Sequence, residues 1–164
     1  MKRMGGIVVV ISAVYAFHIA LFGIQTSDSN SNALKGIKAI FFLVEDLPQK
    51  ATELGLTIER IKTATESKLR EEGLSVPDYS YADPYLFISI HVVNRAFSVE
   101  VSLRENVVLK RAKSITCRAA TWSNSVTGVH GGDPNSIIDG LQWVLDSFLN
   151  DYDKANPKKK RRHE

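Results

Sequence analysis

One cysteine, Cys117, serves the whole chain, and its four histidines lie far apart. A lone thiol excludes an internal disulfide. It also excludes a thiolate metal site, and His18, His91, His130 and His163 have no metal-ligand spacing among themselves. The phosphate loop G-x-x-x-x-G-K, the dinucleotide turn G-x-G-x-x-G and the nucleophile elbow G-x-S-x-G are all missing. The sequence therefore implies no cofactor, no metal and no recognisable catalytic set. Long apolar runs are scarce too: only residues 5–24 form one, broken by Ser12 and His18.

A basic excess on the fold is also lacking. The net charge is +3, yet Lys2, Arg3, Lys158, Lys159, Lys160, Arg161 and Arg162 all sit at the chain ends. Residues 25–157 hold 14 basic against 17 acidic residues, a net of −3. A nucleic-acid-binding domain carries its positive charge on the fold, so no nucleic-acid partner is expected.

What is present begins with an address. Lys2 and Arg3 precede the apolar run, the pattern of a signal peptide. About 20 apolar residues also suffice to cross a bilayer. Residues 1–24 thus read as a signal peptide or an uncleaved hydrophobic membrane helix, and either places the domain in the periplasm or facing it. No cysteine lies there, which excludes a lipoprotein anchor. Residues 25–32 are small and polar and read as a linker.

Residues 33–157 read as one α+β domain. A solid apolar centre predicts a strand over 36–44. Thr57 caps a helix that carries Ile58, Ile61, Thr65 and Leu69 on one stripe, and Gly73 ends it. Leu74-Ser75-Val76 suits a short edge strand. A meander of three strands follows. Leu86, Ile88, Ile90 and Val92 alternate in the first; Phe97, Val99, Val101 and Leu103 in the second. The third, over 114–122, sets Ile115, Cys117, Ala119 and Thr121 against Thr116, Arg118, Ala120 and Trp122. Cys117 reads as a small buried hydrophobe. A bulge is expected near Glu105-Asn106. Residues 122–132 read as a flexible polar connection. Asp133 and Pro134 then open the last helix, with Ile137, Leu141, Val144, Leu145, Phe148 and Tyr152 as its stripe and Ile138, Trp143 and Leu149 in support. The order β-α-β-β-β-α makes a two-layer sandwich, its antiparallel meander covered by helices.

Three surfaces are candidates for function. Tyr79 and Tyr81 lie in the loop before the meander; exposed tyrosines favour interfaces, and equally they pack over a sheet edge. In residues 123–133, Ser123 or Ser125 beside His130 suggests acyl-transfer chemistry. Gly131 and Gly132 at a helix start offer free N–H groups to an anion. The plainer reading is a mobile loop before a well-capped helix, since Asp133 would occupy those groups and repel an anion. The tail Lys158, Lys159, Lys160, Arg161 and Arg162 resembles a nuclear localisation signal, but the exported amino terminus argues for a solvated extension at an anionic envelope surface.

The helix ending in L-x-x-x-G at Leu69–Gly73, the Ala82-Asp83-Pro84-Tyr85-Leu86 lead into the meander and the late Phe148-Leu149-Asn150-Asp151-Tyr152 segment resemble small exported bacterial domains of unknown function. More remotely, the architecture is similar to the amino-terminal domain of TolB. That resemblance implies a non-catalytic interaction module whose partner is another envelope protein. The alternative is a small-ligand binder or hydrolase using residues 123–133.

Overall fold

A computed structural model of the chain describes residues 31–77 and 83–157. The segment 1–30, which holds the proposed export signal, the tyrosine loop at 78–82 and the tail at 158–164 lie outside the described residues. A 3-10 turn, Ser31–Leu34, is followed by β1 (Phe41–Val44), α1 (Gln49–Glu53), α2 (Ile58–Glu71), β2 (Tyr85–Val93), β3 (Ala96–Leu109), β4 (Ala112–Val129) and α3 (Asn135–Ala155). The four strands form one mixed sheet in the order β1-β2-β3-β4. β1 runs parallel to β2, and the other neighbours are antiparallel. The chain is thus an α+β protein.

Alternation fixes the register at the centre. Leu86, Ile88, Ile90 and Val92 stand opposite Leu103, Val101, Val99 and Phe97, so both apolar sets share one face. All eight side chains are buried. The hairpin joining β2 and β3 turns at Asn94, whose φ of 55° is the left-handed conformation asparagine tolerates.

α3 packs against Phe97 and Val126 of this face. Ile137, Leu141, Val144, Leu145 and Phe148 are all 0 % exposed. Trp143 departs from the expected support: at 41 % exposed it lies beyond the stripe, as the helical period places it. Gly140 is the point of closest approach. A Cβ there would stand 2.8 Å from the Phe97 ring, and one at Gly128 would stand 2.7 Å from the same ring. Phe97 fills the gap that the two glycines leave.

The third strand is longer than the sequence suggested. β4 spans 18 residues, so residues 122–129 are strand and not a flexible connection. The polar composition hid an intact period of two. Trp122, Asn124 and Val126 point to the helix side and are buried, while Ser123, Ser125 and Thr127 stand opposite Ser102, Glu100 and Ser98. The bulge is also displaced. Leu103 pairs with Trp122 but Arg104 pairs with Ala120, which leaves Thr121 as the extra residue. That extra residue rotates Trp122 onto the apolar face.

β1 is shorter than expected, because the chain before it serves α3 instead of the sheet. The Asn156 side-chain amide donates to Leu34 O (2.9 Å) and its oxygen accepts from Gly36 N–H (2.7 Å). Tyr152 donates its hydroxyl to Ile37 O at 2.8 Å, and burial pushes its pKa up, helped by the charge of Asp153. The expected edge strand at Leu74-Ser75-Val76 reduces to one parallel bridge between Ala39 and Ser75. α1, with Ala51 its only buried residue, carries no apolar period that sequence could reveal. α2 matches its expected bounds: Thr57 accepts the Arg60 N–H as cap, and Gly73 adopts φ 83° after the last turn.

Candidate functional site

The serine and histidine residues of 123–132 do not converge. Ser123 and Ser125 lie on β4, half-buried, on the sheet face that α3 does not cover. His130 follows the end of β4 and is 6 % exposed. Its Nδ1 accepts the Gly132 N–H at 3.0 Å, so Nε2 carries the proton and donates to Asn94 O at 2.9 Å. Its backbone N–H donates to Arg95 O at 3.0 Å. Nε2 and the backbone N–H thus clip the end of β4 to the β2–β3 turn, Nδ1 holds the turn at Gly132, and neither ring nitrogen faces a serine. The glycine pair has a backbone reason: Gly131 and Gly132 have φ of 57° and 92°. The Asp133 carboxylate accepts the Asn135 N–H at 2.9 Å and so occupies the start of α3.

A serine and a histidine do meet elsewhere. On the face opposite α3, the Ser89 hydroxyl donates to Glu45 Oε2 at 2.5 Å and lies 3.0 Å from His91 Nε2. The hydroxyl has one proton and gives it to the carboxylate, so His91 must donate its Nε2–H to the Ser89 oxygen. The order is carboxylate, hydroxyl, imidazole. An acyl-transfer nucleophile needs the imidazole between the other two, accepting the hydroxyl proton. The chain holds the Glu45 end of β1 against β2, together with the Glu45 N–H bond to Ile88 O at 2.9 Å. Ser89 and His91 share a face by the period of two. Glu45 could not be added from sequence, because only the parallel β1–β2 register brings it there.

The same face carries two cation–π contacts. The Arg104 guanidinium stands 3.8 Å over the Phe87 ring, and that of Arg118 stands 5.1 Å over Tyr85. The Ser102 hydroxyl, 1 % exposed, has no hydrogen-bond partner among the described residues.

Two grooves open on the surface. One of about 570 Å³ lies between α2 and α3 and is lined by charged and small residues, among them Glu59, Arg60, Ser67 and Gln142. Lys68 beside it forms a 2.6 Å ion pair with Asp146, whose hydrogen bond raises the lysine pKa. The other, about 480 Å³, runs along the outer edge of β1 and is lined by Phe41, Leu43, Val44, Ile58, Val76 and Pro77. There the Ser75 bridge ends. Ile40 N–H donates to Ser75 O and Ser75 N–H to Lys38 O. Outward-facing residues alternate along a strand, so Phe42 and Val44 continue that edge, and among the described residues their outward backbone groups have no partner. Sequence reasoning passed over this edge because its apolar run suited a strand covered on much of both faces; Leu43 is 43 % exposed.

Among the described residues no group of three or more His, Cys, Asp or Glu gathers into a metal site. Among the same residues no helix is long and apolar enough to cross a membrane. No protein-family model matches the chain, and no curated protein does.

Proposed function

We propose that this chain is an exported bacterial envelope protein whose domain at 33–157 acts through protein contacts and not by catalysis. In this reading residues 1–24 are its signal peptide or anchor, as their basic start and apolar run suggest. The domain is a two-layer sandwich, with α2 and α3 on one face of the sheet. The likeness to small exported domains, and remotely to the TolB amino-terminal domain, points the same way.

The observation that carries the interaction role is the open edge of β1. A strand edge unpaired among the described residues, beside a groove lined mainly by apolar side chains, suits an extended segment of a partner, which adds as a further strand. The backbone bonds supply affinity, and alternate side chains enter the groove between β1 and α2. The partner is another envelope protein with such a segment.

A photo-crosslinking side chain at position 43, in cells, tests this. Leu43 is exposed, so its replacement leaves the fold standing. The expected result is a discrete crosslinked species in the envelope fraction, lost when Val44→Pro removes the outward N–H. Crosslinks to lipid or water alone would count against strand addition at this edge.

A further inference from the structure

We propose that the distal half of the β3–β4 hairpin is a membrane-contact arm that seats its tip on the anionic headgroups of a phospholipid bilayer. This deepens the envelope reading and rests on it for the presence of the bilayer.

The arm is a fact of register. β2 stops pairing at Arg104, so residues 105–109 of β3 pair with β4 alone. A two-stranded ribbon without a third strand is marginal in water. This one projects by five to six residues, or roughly 17–20 Å at the usual rise per residue. Its tip exposes aliphatic surface: Val108 is 58 % exposed and Ile115 50 %. Lys110, Arg111 and Lys113 lie between them in the chain, all exposed, and none is in an ion pair among the described residues.

Charge identifies the occupant. Residues 105–118, the arm, hold four basic residues and one acid, Glu105, a net of +3. The rest of 25–157 holds ten basic and 16 acidic residues, a net of −6. Two such arms repel each other, which disfavours pairing between copies. A nucleic acid long enough to lie along the domain would meet its acidic body. A bilayer meets only the tip, and the body then stands beyond the ~8 Å screening length of physiological salt. Aliphatic side chains ringed by lysine and arginine suit this boundary, the apolar groups entering it and the cations meeting phosphate.

The chain ends agree. α3 runs along β4 toward the arm, since Gly140 lies by Val126, Ser147 bonds Asn124 and Asp151 bonds Trp122. Asn156, at the end of α3, holds Leu34 and Gly36. The described chain therefore begins and stops at the arm's end of the sheet.

The test uses the full chain, purified as cells process it, with Cys117→Ser and an environment-sensitive dye on Ile115→Cys. A second labelled protein carries Cys117→Ser and Thr127→Cys, at the opposite end of β4. With vesicles of phosphatidylglycerol and phosphatidylcholine, the dye at 115 should shift to the blue. It should not shift with phosphatidylcholine alone, and the dye at 127 should not shift in either. Each of Lys110→Ala, Arg111→Ala and Lys113→Ala should lower occupancy of the contacted state about fivefold. These residues are exposed, so unchanged circular dichroism melts are expected for all variants. No shift with anionic vesicles would overturn the proposal and leave the lysines as guards against edge pairing. A shift produced by duplex DNA, or by protein concentration without vesicles, would overturn it in favour of a polyanion or a second copy. A carboxy-terminal alkaline phosphatase fusion separates the two readings. An inactive fusion beside a blue shift removes the envelope reading and supports the arm; an active fusion with no shift overturns the arm alone.

Discussion

Leu141→Ala and Leu145→Ala should each lower the unfolding free energy by about 2–5 kcal/mol, the cost of truncating a fully buried leucine. Both side chains are 0 % exposed, as are Val144 between them and Phe148 one turn on. The site cannot collapse easily around the lost atoms, because Phe97, Val99 and Val101 beneath are tied into paired strands on both sides. A small domain has only about 5–15 kcal/mol to lose. Lys62→Ala on α2, exposed and at the rim of a groove, should stay within about 0.5 kcal/mol. Urea unfolding with unchanged slope measures all three. If either leucine variant cost under about 1 kcal/mol, α3 would not be the element that closes the core.

The contact of α3 with β3 and β4 was legible because two periods agree. The stripe of α3 and the alternation of β2 and β3 each name an apolar face, and the faces must meet. Period alone failed where residue type misled. Ser123, Ser125 and Thr127 looked like a loop, yet each second position between them, Trp122, Asn124 and Val126, kept the strand pattern and is buried. The bulge was expected on β3, but the extra residue is Thr121 on β4. No local signal distinguishes the two, since a bulge depends on what lies across the ladder.

The candidate sites were less legible, for the same reason. His130 was named, but not its role, because the backbone groups of Asn94 and Gly132 that hold its ring carry no sequence signature. Glu45, Ser89 and His91 come together only through strand register. Counting charge over 25–157 gave −3 and hid the arm, whose four basic residues are offset by acids that the fold places elsewhere. Tyr79 and Tyr81 lie outside the described residues.

Trp122 should be the costliest single position on β4. The bulge at Thr121 turns its ring under α3, where it is 2 % exposed. Its edge meets Phe148 at a centroid distance of 5.2 Å and 77°, a favourable T-shaped arrangement. Its Nε1–H donates to Asp151 Oδ2 at 3.1 Å. The ring therefore joins the strand to the last turns of the helix, close to where Asn156 and Tyr152 hold the incoming chain. Trp122→Ala should cost about 3–5 kcal/mol, the range for deleting a buried aromatic. Trp122→Phe keeps most of the ring and removes one donor to a carboxylate that is 7 % exposed, so about 1–3 kcal/mol is expected. Trp143 is 41 % exposed and remains as a fluorophore in both variants, but far-ultraviolet circular dichroism is the better probe of α3. A double-mutant cycle with Asp151→Ala isolates the hydrogen bond, and adjacent partners of this kind couple by about 0.5–3 kcal/mol. Equal losses for Trp122→Phe and Trp122→Ala would put the energy in the N–H bond and not in the ring. A loss under about 1 kcal/mol for Trp122→Ala would mean that α3 is held by its apolar stripe alone, without the strand's anchor.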